Sequence, residues 1–208
     1  MTKSDLIGDI AGYYTTALRR HGATPRGVDW NGDESQRLRF HELSRVIDAD
    51  GGFSLNDLGC GYGAYYDYLV EAFGSVQYFG FDVSEAMVES ARARLTAEGC
   101  RLKVASTPDV ESDFGVASGI FNVRLGREDA EWEAYIHATL DTLHETSRKG
   151  FAFNCLTSYS DTDKMRDYLY YANPGALFDH CKRRYARNVA LLHDYGLWEF
   201  TILVRKNV

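Results

Sequence analysis

The chain has 208 residues, with 45% hydrophobic and 25% charged, and 23 Lys and Arg against 30 Asp and Glu give a formal charge of −7. A chain this long buries about 70% of its unfolded surface, so one domain over 1–208 forms without metal or disulfide staples, and extensive disorder is excluded. The acidic balance argues against binding a nucleic-acid backbone, and no apolar run approaches the roughly 18 residues of a membrane span. Cys60, Cys100, Cys155 and Cys181 form no C-x-x-C pair, which fits reduced thiols in a cytoplasmic protein and no metal site. The polar start MTKSDLIGDIAGYY lacks the apolar core of a signal peptide. Fourteen Tyr, 11 Phe and 3 Trp are read first as core.

Residues 4–20 have a helical apolar face of Leu6, Ile10, Tyr13, Tyr14 and Leu18. Residues 21–33 are punctuated by Gly, Pro and Asn and read as an ordered loop. Asp33 and Gln36 resemble a capping box opening a helix with Phe40, Leu43 and Ile47 inward. Strand and helix patterns then alternate. Strands are expected at 53–58, 75–81, 101–106, 114–121 and 150–156, although Arg101 and Lys103 make the third unusually basic. Helices are expected at about 64–73, at 84–99 with Ser84 as N-cap, and around 129–147. Such units imply a doubly wound, mostly parallel α/β sheet with helices on both faces. After a helix at 174–185, the runs 189–195 and 197–206 are separated only by Gly196 and read as an antiparallel hairpin. Trp198, Phe200, Ile202 and Val204 alternate there, and Trp198, Phe200 and Phe153 are assigned to the core.

The chemistry lies at the end of the first strand, in Asp57-Leu58-Gly59-Cys60-Gly61-Tyr62-Gly63. Glycine at every second position allows a tight turn and close approach of a ligand, and the turn presents helix N-terminal amides. Asp82 ends the second strand, where a carboxylate can accept hydrogen bonds from both hydroxyls of a ribose. Either feature alone has a bland reading, as a structural turn or an N-cap. Together they point to a nucleoside-containing cofactor. A dinucleotide fingerprint requires two residues before its third glycine, whereas G-C-G-Y-G-A brings it one residue early.

This acidic-x-G-x-G-x-G pattern resembles the signature of class I S-adenosylmethionine-dependent methyltransferases, and D-V-S-E-A-M-V-E-S-A (82–91) resembles the following motif of their small-molecule branch. The resemblance covers roughly residues 33–206 and implies a seven-stranded sheet ending in the hairpin. It implies that Gly59, Cys60 and Gly61 lie along the methionine and ribose of S-adenosylmethionine, with Asp57 ordering the loop and the amino group. Asp82 would hold the ribose hydroxyls and Val83 flank the adenine. Relatives often bind the adenine amino group with an acid after the third strand; here Ser106-Thr107 stand there and Asp109 comes later. Residues 118–121 end the fourth strand where relatives line the methyl-transfer face, with Ser118 assigned to the cofactor and Phe121 to the acceptor; Asn122, also assigned to the acceptor, is a polar candidate without a motif.

In some relatives an N-terminal Tyr, a Trp and an Arg cover the cofactor. Tyr14, Trp30 and Arg39 (or Arg37) are the counterparts, an Arg fork suiting the methionine carboxylate. Their bland readings are a loop-packing Trp and solvated helix arginines. Residues 1–33 would thus form a cofactor-covering helix and loop, and the irregular insert 157–186 part of a lid, with Tyr13, Tyr170 and Tyr171 on the acceptor. No catalytic base is assigned: His137, His144, His180, His193 and Tyr159 carry no motif. The expected activity is methyl transfer to a small-molecule acceptor by a monomer or homodimer, without nucleic-acid or membrane partners. The alternatives are a cofactor-binding regulatory subunit without turnover and a protein or peptide methyltransferase.

Overall fold

A computed structural model describes residues 3–49 and 51–206. In chain order the elements are α1 (Lys3–His21), a 3-10 turn (Pro25–Val28), α2 (Asp33–Ser44), β1 (Phe53–Leu58), α3 (Ala64–Phe73), β2 (Val76–Asp82), α4 (Glu85–Arg94) and β3 (Cys100–Val104). They continue as β4 (Ser112–Ala117), α5 (Asp129–Glu145), β5 (Ser147–Leu156), α6 (Pro174–Arg184), β6 (Asn188–Leu192) and β7 (Glu199–Arg205). The strands form one seven-stranded sheet of order β3-β2-β1-β4-β5-β7-β6. Strands β1 to β5 run parallel, and β7 inserts antiparallel between β5 and β6. No helix among the described residues is long and apolar enough to cross a membrane.

Alternation along the central strands divides the core between two faces. Phe151, Phe153 and Cys155 of β5 and Phe200, Ile202 and Val204 of β7 pack with α1, α5 and α6. Leu55 of β1, Phe114 of β4 and Leu203 of β7 pack on the opposite face with α2, α3 and α4. The expected doubly wound sheet with helices on both faces is therefore the observed one. At the margin, β3 pairs only with β2, and its Arg101 and Lys103 are exposed, both bound to Asp109.

Four local expectations change. The fourth strand, expected at 114–121, ends at Ala117, so residues 118–121 lie in the turn beyond it. Gly32, not Asp33, occupies the N-cap of α2, and Gln36 turns its side chain to accept from the Tyr62 hydroxyl at 3.1 Å. Asp33 instead starts the helix, where its charge suits the dipole. Helix α4 keeps Ser84 as N-cap, its Oγ accepting from Met87 N at 3.3 Å, but stops at Arg94 because Leu95 leaves helical geometry and packs against Gly63. The hairpin connection is residues 193–198 rather than Gly196 alone, so Trp198 lies outside β7 and is 50% exposed.

Gly150 of β5 leaves no room for a side chain against β7: a Cβ there would lie 2.5 Å from Val204 O, a backbone atom that cannot swing aside. Gly150→Ala should lower unfolding free energy by about 1–3 kcal/mol through overpacking, measured by urea denaturation. Unchanged stability would show that the sheet spreads at no cost.

Candidate active site

Strands β1 and β4 are neighbours at the centre of the sheet, and the chain winds outward from them in opposite directions. A crevice forms at such a switch point, beyond the carboxyl ends of the strands. The loop after β1 enters it with Gly59, Gly61 and Gly63 at φ +79°, +54° and +82°. Gly59 also tolerates no side chain, since a Cβ would fall 2.1 Å from Cγ2 of Ile120. Backbone bonds lace this loop to β2: Gly59 N and Cys60 N both donate to Phe81 O, at 2.7 and 3.0 Å. One oxygen of Asp82 accepts from Gly61 N at 2.9 Å and the other from Ser84 N at 2.8 Å. Burial raises the Asp82 pKa, opposed by these amide bonds.

Asp57 lies deeper and accepts from the Tyr78 hydroxyl at 2.5 Å. Burial pushes its carboxyl up to about 7, Tyr78 opposing and the nearby Asp82 charge adding. Above these acids the crevice encloses about 880 Å³, including its open mouth. Ile7, Ile10 and Tyr14 of α1 cover one side, and Val28 and Trp30 another. Val83, Met87, Ala105 and Ser106 form an apolar slot next to Asp82, and Ser118, Gly119, Ile120 and Tyr135 close the end beyond β4. Ser118 Oγ is buried with no hydrogen-bond partner among the described residues. Burial, with Asp82 nearby, pushes Tyr135 up to about 12 and also raises Tyr14.

Asp57, Gly59, Cys60, Gly61, Asp82, Val83, Ser118, Tyr14 and Trp30 thus meet around one space. Arg39 does not. Its guanidinium is buried against Glu199, donating through Nε and one terminal nitrogen, while the other terminal nitrogen donates to Ser35 O. Arg37 points outward to Glu71. Asp109, held by Arg101 and Lys103 on the surface, offers nothing to the slot.

The acceptor-side expectations also need correction. The chain reverses at Gly119 (φ +75°), sending Phe121 into the core against Tyr135 and Phe153. Asn122 accepts from Leu156 N at 3.1 Å and lies outside the crevice lining. The insert folds back through the bridge Val123↔Leu169, which points Tyr170 away to bind Glu133 in a separate cleft between α5 and α6. Tyr171 accepts from Arg166 N. Tyr13 sits at the rim, donating to Asp29 at 2.9 Å, and its insert neighbour is Tyr168, 6.3 Å between ring centroids. His137 and His180 stack on each other, and neither they, His144, His193 nor Tyr159 line the crevice. Sequence reasoning missed Gln36, Met87, Ala105 and Tyr135. Met87 lies inside the 82–91 motif, but nothing local marks Tyr135, which depends on how α5 is rotated.

A seven-stranded sheet with one reversed strand, a glycine turn after β1 and an acid closing β2 define a class I methyltransferase fold. Residues 56–149 match the methyltransferase domain family. The chain is 60% identical over 163 residues to "Putative methyltransferase Rv1506c" of Mycobacterium tuberculosis (strain ATCC 25618 / H37Rv), covering 78% of this chain and 98% of that protein. The chain belongs to the class I S-adenosylmethionine-dependent methyltransferase family. Its fold is similar to that of magnesium protoporphyrin IX methyltransferase from Synechocystis PCC 6803 with bound SAH: TM-score 0.71, 12% identity, 97% of this chain and 99% of that one. It is also similar to Burkholderia thailandensis 1,6-didemethyltoxoflavin-N1-methyltransferase with bound 1,6-didemethyltoxoflavin and S-adenosylhomocysteine: TM-score 0.68, 15% identity, 100% of this chain and 92% of that one.

Asp57 gives the site a pH signature. Its pKa rises from 3.8 to about 7 on folding, so the native state holds a proton that the unfolded chain releases. The stability this proton contributes is complete below the unfolded pKa and is lost as pH rises through about 7. In urea titrations from pH 4 to 8, wild type should lose stability relative to Asp57→Asn, by roughly 1.4 kcal/mol per pH unit at most. A pH-independent difference would mean Asp57 is ionised throughout.

Proposed function

We propose that this protein transfers a methyl group from S-adenosylmethionine to a small-molecule acceptor. The observation that carries the reading is the chemistry sharing one crevice: a buried strand-end carboxylate at Asp82, an apolar slot beside it, and the Ser118 Oγ, which has no partner among the described residues. Those groups suit a ribose, an adenine and a further polar contact. Asp57, in the same lining, suits the cationic amino group. When bound, the cofactor would supply a methyl group made electrophilic by its sulfonium, the C–S bond breaking and S-adenosylhomocysteine leaving as the acceptor's lone pair takes the methyl in line.

The chain's own contribution is placement and exclusion of water. Asp82 would accept from the ribose hydroxyls while its amide bonds keep the glycine loop in shape. Val83, Met87 and Ala105 would enclose the base. Of the segment 1–33, whose first two positions lie outside the described residues, residues 3–33 would act as a cover: Tyr14, Val28 and Trp30 face the crevice, and α1 is tied down by an ion pair from Asp9 to Arg127 and by Thr15 to Ser84 at 2.8 Å. The insert 157–186 supports the cover, through Tyr168 against Tyr13. The small-molecule acceptor rests on the named acceptors of the protoporphyrin and toxoflavin enzymes and on the acidic balance of this chain. A base is required only where the acceptor's nucleophile must lose a proton, and the reading assigns none.

Isothermal calorimetry with S-adenosylmethionine, S-adenosylhomocysteine and NAD tests the reading. The first two should bind and NAD should not. Asp82→Ala should weaken S-adenosylhomocysteine by about 1–3 kcal/mol per charge-assisted bond removed. Binding of NAD alone overturns the proposal, and affinity indifferent to Asp82→Ala would move the ribose elsewhere.

A further inference from the structure

The Arg39–Glu199 ion pair is a buried pair of charges bridging α2 to β7. Relative exposure of the side chains is 6% and 2%. Burying two ions is costly, and well-packed apolar residues of similar volume commonly hold a fold as well or better. Stability alone therefore does not account for the pair, and its surroundings suggest what does.

Both oxygens of Glu199 are used. Arg39 Nε reaches them at 3.0 and 2.8 Å and its terminal nitrogen donates to Oε1 at 2.5 Å. Asn154, fully buried in β5, donates its amide nitrogen to Oε2 at 2.8 Å. The amide oxygen of Asn154 then accepts from Gly119 N at 2.8 Å, which fixes the turn where the chain leaves β4 for the crevice. Gly119 touches Trp30: a Cβ would fall 2.5 Å from Cζ2 of the indole. The guanidinium of Arg39 lies 3.8 Å from the centroid of the Trp30 ring. The contacts close a circuit, Arg39 to Glu199 to Asn154 to Gly119 to Trp30 and back to Arg39. Trp30 and Gly119 line the crevice, whereas Arg39, Glu199 and Asn154 stand outside it.

We infer that Arg39, Glu199 and Asn154 are positioning residues, which clamp Trp30 and Gly119 together and so set the crevice wall. The carboxylate holds the guanidinium plane against the indole, and through Asn154 it holds the turn that leaves room for the indole edge. A lysine in place of Arg39 keeps the charge but has neither the planar face nor the fork. The effect on ligand affinity rests on the cofactor reading above; the effect on Trp30 does not.

Two variants test it, Arg39→Lys and the double substitution Arg39→Met/Glu199→Met. Three readouts are taken: melting temperature, calorimetric affinity for S-adenosylhomocysteine, and acrylamide quenching of tryptophan fluorescence without ligand. Quenching is measured in a Trp198→Phe background, which removes the exposed indole and leaves Trp30 beside the fully buried Trp132. The double variant should still fold but melt several degrees below wild type, because Glu199→Met leaves the buried Asn154 amide nitrogen without its acceptor. Both variants should bind S-adenosylhomocysteine about ten-fold more weakly, and quenching should rise as Trp30 comes loose. A folded variant with wild-type affinity and unchanged quenching overturns the inference and reduces the pair to a structural bridge. Absence of S-adenosylhomocysteine binding by wild type would instead overturn the cofactor reading, and quenching would still decide whether the clamp exists.

Discussion

The site depends first on one carboxylate. Asp82 is buried at the end of β2 with one oxygen on Gly61 N and the other on Ser84 N. The first bond holds the glycine loop down, and the second sets the residue whose hydroxyl caps α4. A neutral residue of the same size would offer at most one acceptor and leave a buried amide unpaired. One side chain thus shapes the loop, starts the helix and presents its remaining lone pairs to the crevice.

Around that point several polar side chains are buried. Asp57, Asp82, Asn154, Glu199 and Arg39 are all nearly inaccessible, yet each has partners. Ser118 breaks the pattern, since its hydroxyl lines the crevice and binds nothing among the described residues. The satisfied groups define a frame, and of the four buried side-chain atoms without a partner among the described residues, Ser118 Oγ is the one whose residue lines the space left for a ligand.

The readable parts of the sequence were those whose chemistry closes within the β1–α3–β2 unit and the turn after it. Ser84 caps α4 three residues on, and the glycine loop meets Phe81 and Asp82 about twenty positions away on the neighbouring parallel strand, a spacing that one strand–helix–strand unit fixes. Arg39 shows the limit: its charge suggested an anion, but the anion is Glu199, 160 positions along. Tyr135 depends on the rotation of α5, which no local signal fixes. The insert tyrosines failed for the same reason, since the bridge Val123↔Leu169 sets which ring faces α1, and it selects Tyr168 over Tyr170 and Tyr171. Trp198 followed the alternation of β7 but precedes the strand, so its ring stays half in solvent.

The two basic residues that made β3 look unlike a strand have a use at the margin of the sheet. Its outer edge leaves backbone donors and acceptors without a neighbouring strand, an open template for another chain. Arg101 and Lys103 are exposed on this strand with their charges tied to Asp109, and the Arg101 guanidinium lies over the Phe79 ring of β2. A second strand docking there would have to strip water from both cations. Charged side chains on an edge strand are one of the devices that discourage edge-to-edge pairing, and the residues least suited to a strand by composition supply them here.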